Sequence, residues 1–287
     1  MKLSEITSSR KRVPLRVLVY GNAGVGKSTL ASQAPAPVFL CAEEGVSHLD
    51  VQRFPAPERW QDVLDAIDQL TTEEHSFKTL VIDTLDWLEP LCWAHVCKLG
   101  GKPDIEAFGY GKGYVAAVDA WRVLLGRLER LQSKRGMHVV LLGHAAARDH
   151  KDPDLDSWKR WAPKLHSAAA DLVCEWVEAV LYATHLAFAK KDGLKTRGVS
   201  TGERVLYTEW TPGHVAKSRW GLPPQIRLGW ADLYAGSRGA GALVEEIAAL
   251  VTKLPEEKRP AVEAAVTDAG TDPVKLLAVL NRLRKSV

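Results

Sequence analysis

No stretch of this chain stays apolar over the length of a membrane span. No apolar segment precedes the first strand-like run either, although Arg10, Lys11 and Arg12 stand near the start. Contact with a membrane is therefore not expected. Cysteine is scarce: the four are Cys41, Cys92, Cys97 and Cys174. They form no C-x-x-C pair and no even ladder of spacings, which leaves a disulfide framework without support and points to a reducing cytoplasm. Cys92, His95 and Cys97 are close in sequence, but they lie in an apolar, helix-like stretch with no fourth ligand nearby and read as core residues. A dominant charge is lacking too. A formal +3 on 287 residues does not announce a nucleic-acid binder, and any such contact must come from local basic segments. There is no internal repeat. What remains is the composition of a packed globule, 46% hydrophobic and 25% charged, with enough chain for one large α/β domain and a small appendage.

The most informative segment is Gly21-Asn22-Ala23-Gly24-Val25-Gly26-Lys27-Ser28, a complete G-x-x-x-x-G-K-[ST] loop, followed by Thr29. It stands directly after the apolar run Leu15 to Tyr20 and opens a helical pattern at Ser28. A buried strand feeding a glycine-rich turn and then a helix directs several backbone N–H groups at one anion, so the expected ligand is a nucleoside triphosphate. Lys27 is expected to reach the β- and γ-phosphates. The Ser28 hydroxyl is expected to ligate Mg²⁺, a hard cation that prefers oxygen.

Apolar runs alternate with helical periodicity after the loop, giving a βαβ rhythm and a mostly parallel sheet with helices on both faces. Residues 37–41, 78–83 and 137–142 read as further buried strands. Two amphipathic helices are marked by Val63, Leu64, Ile67 and Leu70, and by Trp121, Leu124, Leu125, Leu128 and Leu131. The rhythm then changes. Residues 179–184 and 204–208, joined through the basic turn Lys190-Lys191-Asp192-Gly193, read as antiparallel additions at one sheet edge. The glycine-rich stretch 236–241 reads as a linker. Three helical patterns follow it, the last opened by Asp272 as N-cap with Pro273 at its first position. The expected division is an N-terminal segment 1–14, a core 15–235, the linker 236–241 and a helical region 242–287.

Asp83 ends the apolar strand Leu80-Val81-Ile82, where a carboxylate is needed to hold a water on Mg²⁺. Glu43 and Glu44 follow the preceding strand, and either is placed to deprotonate an attacking water; Glu43 is the chosen base and Glu44 the alternate. His144 closes another strand, where a polar side chain is suited either to a partner in its own chain or to a hydrogen bond with the γ-phosphate. Two segments combine aromatic rings with cations: 108–114, with Tyr110, Lys112 and Tyr114, and the stretch Trp158-Lys159-Arg160-Trp161. Rings beside cations suit unstacked bases and phosphates. Packing of a lid or a subunit interface is the competing role for the two tryptophans. Lys217 and Arg219 are two cations two residues apart, suited either to acidic partners in their own chain or to the γ-phosphate held by a neighbour.

This set of motifs resembles the RecA-type recombinase core, and within it the ATP-binding single-strand annealing proteins of phage recombination modules. The resemblance covers about residues 15–230. It implies a RecA-like P-loop NTPase fold with a mostly parallel central sheet, antiparallel edge additions and a small C-terminal helical extension. It also implies ATP and Mg²⁺ as ligands, Glu43 as base, and His144 where RecA itself has glutamine. Phe108 to Tyr114 and the Arg148 to His166 segment, which holds Trp158 to Trp161, would then fall where the family places its two DNA-binding loops. Lys217 and Arg219 resemble the lysine-x-lysine pair inserted into the adjacent ATP site, with arginine as the second cation. The implied partners are single-stranded DNA, further copies of the chain in a filament or ring, and a single-strand-binding protein or other recombination partner. The location would be cytoplasmic, in the host if the chain is phage-encoded. A nucleotide-gated adaptor and a P-loop kinase are the alternatives.

Overall fold

The computed structural model describes residues 14–43, 45, 49–152, 154, 156–192 and 195–284. Glu44, the basic cluster 10–12 and Gly193 lie outside them. The chain runs β1 (Arg16–Gly21), α1 (Lys27–Ser32), β2 (Pro37–Cys41), β3 (Gln52–Arg53), α2 (Trp60–Thr72), β4 (Thr79–Asp83), α3 (Leu85–Gly100), α4 (Lys112–Arg135), β5 (His138–His150), β6 (Trp158–Pro163) and α5 (Ser167–Trp176). It continues with β7 (Ala179–Asp192), β8 (Lys195–Tyr207), β9 (Lys217–Ser218), β10 (Gln225–Arg227), α6 (Trp230–Val251), α7 (Arg259–Ala269) and α8 (Pro273–Arg284).

The sheet order is β10-β8-β7-β1-β5-β4-β2-β3. From β7 to β3 every pairing is parallel, while β8, β9 and β10 add antiparallel at the β7 edge. This is the α/β class expected: a mostly parallel sheet, antiparallel edge additions and C-terminal helices. Each central strand is buried on both faces, and the period of two divides its side chains between two cores. Leu18, Tyr20, Leu80, Ile82, Val139 and Leu141 pack with α2, α3, α4 and α5. Val17, Val19, Val81, Val140 and Leu142 pack with α1 and the start of α6. Trp60 and Trp121 meet edge to face on the first side, centroids 5.2 Å apart. Full burial of such side chains stabilises by about 2 kcal/mol each. Cys92 and Cys97 belong to that same core.

Three strands, β5, β7 and β8, run longer than their apolar stretches. β5 continues past Leu142 to His150 and pairs antiparallel with β6, so Trp158 to Trp161 form one strand of a ribbon and not a loop. Local periodicity ends where the strand leaves the core, and the polar continuation is held by its ladder with β6, which is bonded in turn to residues 211–215 through the Trp161 N–H to the Gly213 carbonyl and the Val215 N–H to the Trp161 carbonyl, each at 2.9 Å. The glycine-rich stretch 236–241 lies within α6. The chain is helical on both sides of Gly239, whose φ of 70° and ψ of 152° break α6. The glycines thus mark a kink within a helical element, with Arg238 and Glu246 paired across it. Beyond the kink, Leu243, Ile247, Leu254, Leu276, Leu280 and Leu283 form a third apolar cluster.

Asp272 caps α8 as expected, its Oδ1 accepting the N–H groups of Val274 at 2.9 Å and Lys275 at 3.3 Å. Asp272→Ala should weaken α8 by about 1 kcal/mol. Amide exchange across 273–284 then accelerates while that of the β1 and β5 amides stays unchanged; equal acceleration in both would refute a local cap.

Candidate functional site

Four parallel strands deliver their C-terminal ends to one edge. Gly21 is level with His144 on β5, Cys41 is level with Asp83 on β4, and the Ala42 N–H donates to the Asp83 carbonyl at 2.9 Å. Glu43 therefore leaves β2 beside Asp83. The turn after β1 needs glycine for two different reasons. A Cβ at Gly21 would stand 2.2 Å from the Ala183 carbonyl oxygen, and Gly26 has φ of 103°, a left-handed backbone that other residues rarely adopt.

Lys27 is 6% exposed, and its Nζ donates to the carbonyls of Gly21 at 3.0 Å and Asn22 at 3.1 Å, so the ammonium is held over the loop. Burial lowers its pKa, opposed by the carboxylates of Asp83, Asp86 and Glu43. Asp83 is 2% exposed and accepts the Ser28 hydroxyl on Oδ2 at 2.6 Å, while Oδ1 is buried with no hydrogen-bond partner among the described residues. Burial raises the pKa of Asp83, against the Ser28 bond and the charges of Lys27 and His144. A hydroxyl and a carboxylate in contact, one oxygen left over, form a donor set that fits a hard cation such as Mg²⁺. Ser28 would hold the ion directly and Asp83 through a water. Glu43 is half-buried; burial raises its pKa, with His144 and Lys27 pulling it down and Asp83 and Asp86 pushing it up.

Asp86 and Arg204 escaped the sequence reading. The Asp86 carboxylate grips His144 twice, accepting its backbone N–H on Oδ1 and meeting ring Nδ1 with Oδ2, each at 2.9 Å. Burial pushes Asp86 up, but these bonds outweigh it and hold the carboxyl below its ordinary value. In sequence it reads as a helix first-turn acid, three residues after Asp83, and that spacing was its one signal. Arg204 reaches over the loop from β8, with Nη1 donating to the Val25 carbonyl at 3.5 Å. A Cβ at Gly26 would come within 2.8 Å of that nitrogen.

The other expected residues lie apart from this cluster. Tyr110 is fully exposed and Lys112 exposed at the start of α4. Tyr114 stacks on His166, centroids 4.2 Å apart, and its hydroxyl bonds Glu106. The His166 N–H in turn donates to Glu89 at 2.8 Å, tying the first aromatic segment to the chain leaving β6. On β6, Trp158 Nε1 donates to the Pro212 carbonyl at 2.7 Å, Lys159 is exposed, Arg160 is half-buried and Trp161 is 37% exposed. Lys217 and Arg219 are not brought to the phosphate loop of their own chain. Lys217 pairs with Val180, with β7 between it and β1, and its Nζ donates to the Glu175 carbonyl at 3.3 Å. Its pKa is lowered by burial and by Arg219, whose own side chain is exposed.

The sheet and the loop-centred cluster together define a P-loop nucleotide-binding domain of the α/β class. More particularly, a family model described as the AAA domain matches residues 13–220, most of the chain, which therefore belongs to that family. No curated protein matches the chain. Among solved structures, the RadB recombinase is similar at a TM-score of 0.40 and 15% sequence identity, over 71% of this chain and 86% of that one. No helix among the described residues is long and apolar enough to cross a membrane.

Proposed function

We propose that this chain hydrolyses ATP and binds single-stranded DNA in homologous recombination, as an annealing protein of the phage type working in an assembly of copies. The observation that carries the reading is the continuity of β5. At His144 the strand stands level with Gly21 at the phosphate loop, and from Ala145 to His150 the same strand pairs with Trp158 to Pro163. A γ-phosphate contact at His144 and a polymer contact on the ribbon thus bear on one rigid element, which suits a two-state switch biased by one phosphate.

In hydrolysis Lys27 and the loop N–H groups orient the triphosphate. Glu43 accepts a proton from a water whose oxygen bonds to the γ-phosphorus, while the bond from that phosphorus to the β-phosphate oxygen breaks, leaving ADP and phosphate. When bound, Mg²⁺ neutralises charge on the phosphate oxygens. Asp86 fixes the His144 ring by its Nδ1, leaving Nε2 for the phosphate. Tyr110, Lys112 and Tyr114 would flank the strand of DNA from the α4 side.

The test is ATP turnover with and without short single-stranded DNA at two salt concentrations. Turnover should rise with DNA, and DNA affinity should fall as salt increases, because phosphate contacts release counterions. Turnover indifferent to DNA, with no binding at low salt, would refute the reading.

A further inference from the structure

Between the β5–β6 ribbon and the β7–β8 hairpin lies an open cavity of about 450 Å³, lined among others by Lys159, Arg160, Trp161, Tyr182, Tyr207 and His214. Its volume falls in the range of small-ligand sites. Sheet register creates its aromatic wall. Tyr182 stands level with Tyr20 on one side and Tyr207 on the other. The rings of Trp161, Tyr182 and Tyr207 lie parallel within 17° at successive centroid distances of 6.3 Å, and His214 meets Tyr207 at 4.5 Å. Tyr182 is nearly buried, whereas Trp161 and Tyr207 keep accessible surface. None of the lining residues is acidic. A hydrophobic core would not hold two cations among its lining residues, and an acidic ligand without rings would not need the wall.

The geometry points to a site for one unstacked base of a single-stranded nucleic acid, its ring against Trp161 and Tyr207 and its flanking phosphates near Lys159 and Arg160. This rests on the single-strand reading above and goes past it by naming a pocket, and by adding Tyr182, Tyr207 and His214, which belong to neither expected DNA segment. The pocket is also bonded to the nucleotide strand. The Tyr20 hydroxyl, one residue before Gly21, donates to the carbonyls of Val215 at 2.6 Å and Trp161 at 3.1 Å. Ala147, a lining residue three positions beyond His144, pairs with Trp161. A shift of the loop strand or of β5 therefore moves a wall of the cavity.

The experiment compares oligo(dT) with a fully abasic strand of equal length, by anisotropy, for the wild type, Trp161→Ala and Trp161→Phe. Stacking of one base supports an expectation of about tenfold. The wild type should bind oligo(dT) about tenfold or more above the abasic strand. Trp161→Ala should lose about that factor for oligo(dT) and little for the abasic strand, and Trp161→Phe should regain most of it. Lys159→Ala should weaken both strands alike and flatten the salt dependence. In the unmodified protein, photo-crosslinks from 4-thiothymine should map to the peptides holding Trp161 or Tyr207, a readout independent of any variant's folding. Failure of the wild type to bind either strand would overturn both readings. Binding of the two strands with equal affinity, or crosslinks confined to 108–114, would overturn the pocket while leaving single-strand binding intact.

Discussion

Glu43→Gln is expected to lower ATP turnover by about 10²- to 10⁴-fold, the usual worth of a positioned general base, with nucleotide affinity close to that of the wild type. The amide keeps the size and hydrogen-bonding reach of the side chain but cannot take a proton. The side chain leaves β2 beside Asp83, within the field of His144, Lys27, Asp83 and Asp86. Burial raises the Glu43 pKa above the ordinary carboxyl value of 4.5. The base works only as carboxylate, so turnover is full above the raised pKa and falls as pH drops through it. That acid limb should vanish from the residual activity of Glu43→Gln. Single-turnover hydrolysis across pH, with binding of a fluorescent nucleotide as control, separates chemistry from affinity. Undiminished turnover would transfer the role to Glu44, the alternate base.

The elements of the nucleotide edge were legible because each is signalled locally. An apolar run, a glycine spacing and a strand-end aspartate are events within ten residues, and β1, the loop and β4 with Asp83 stand where they were expected. Asp86 and Arg204 were not legible, because their meaning comes from pairing. Asp86 acquires its partner only when β5 lies beside β4 and brings His144 within 2.9 Å. Arg204 matters only because β8 folds back along β7. The aromatic wall shows the same limit: Tyr20, Trp161, Tyr182 and Tyr207 come from β1, β6, β7 and β8. Tyr20, Tyr182 and Tyr207 each read alone as ordinary strand residues, and only Trp161 stands out in sequence. Reading the ribbon strand β6 as a loop has the converse cause, since Trp158 to Trp161 carry no run of core positions to betray a strand.

Arg219→Ala should reduce turnover by about 10³-fold or more if its guanidinium completes a neighbour's site, by analogy with arginines supplied in trans. Within one chain the substitution should do almost nothing, because β7 separates the β9 segment from β1. The same chain supplies another cation, Arg204, already at the Val25 carbonyl. The two arginines therefore make opposite demands. If Arg204 alone meets the developing γ-phosphate charge, Arg204→Ala is inactive, Arg219→Ala is active, and hydrolysis per chain does not depend on concentration. If Arg219 is needed, turnover per chain rises with protein concentration, since a head-to-tail contact must form before any site is complete. Mixing Lys27→Ala with Arg219→Ala then restores activity at roughly one contact in four, where an intact loop meets an intact arginine across a heterologous interface. Recovery in the mixture, absent from either protein alone, is the expected outcome. Full activity of Arg219→Ala by itself would confine catalysis to the single chain and leave Lys217, bonded to the Glu175 carbonyl, as a residue of its own fold.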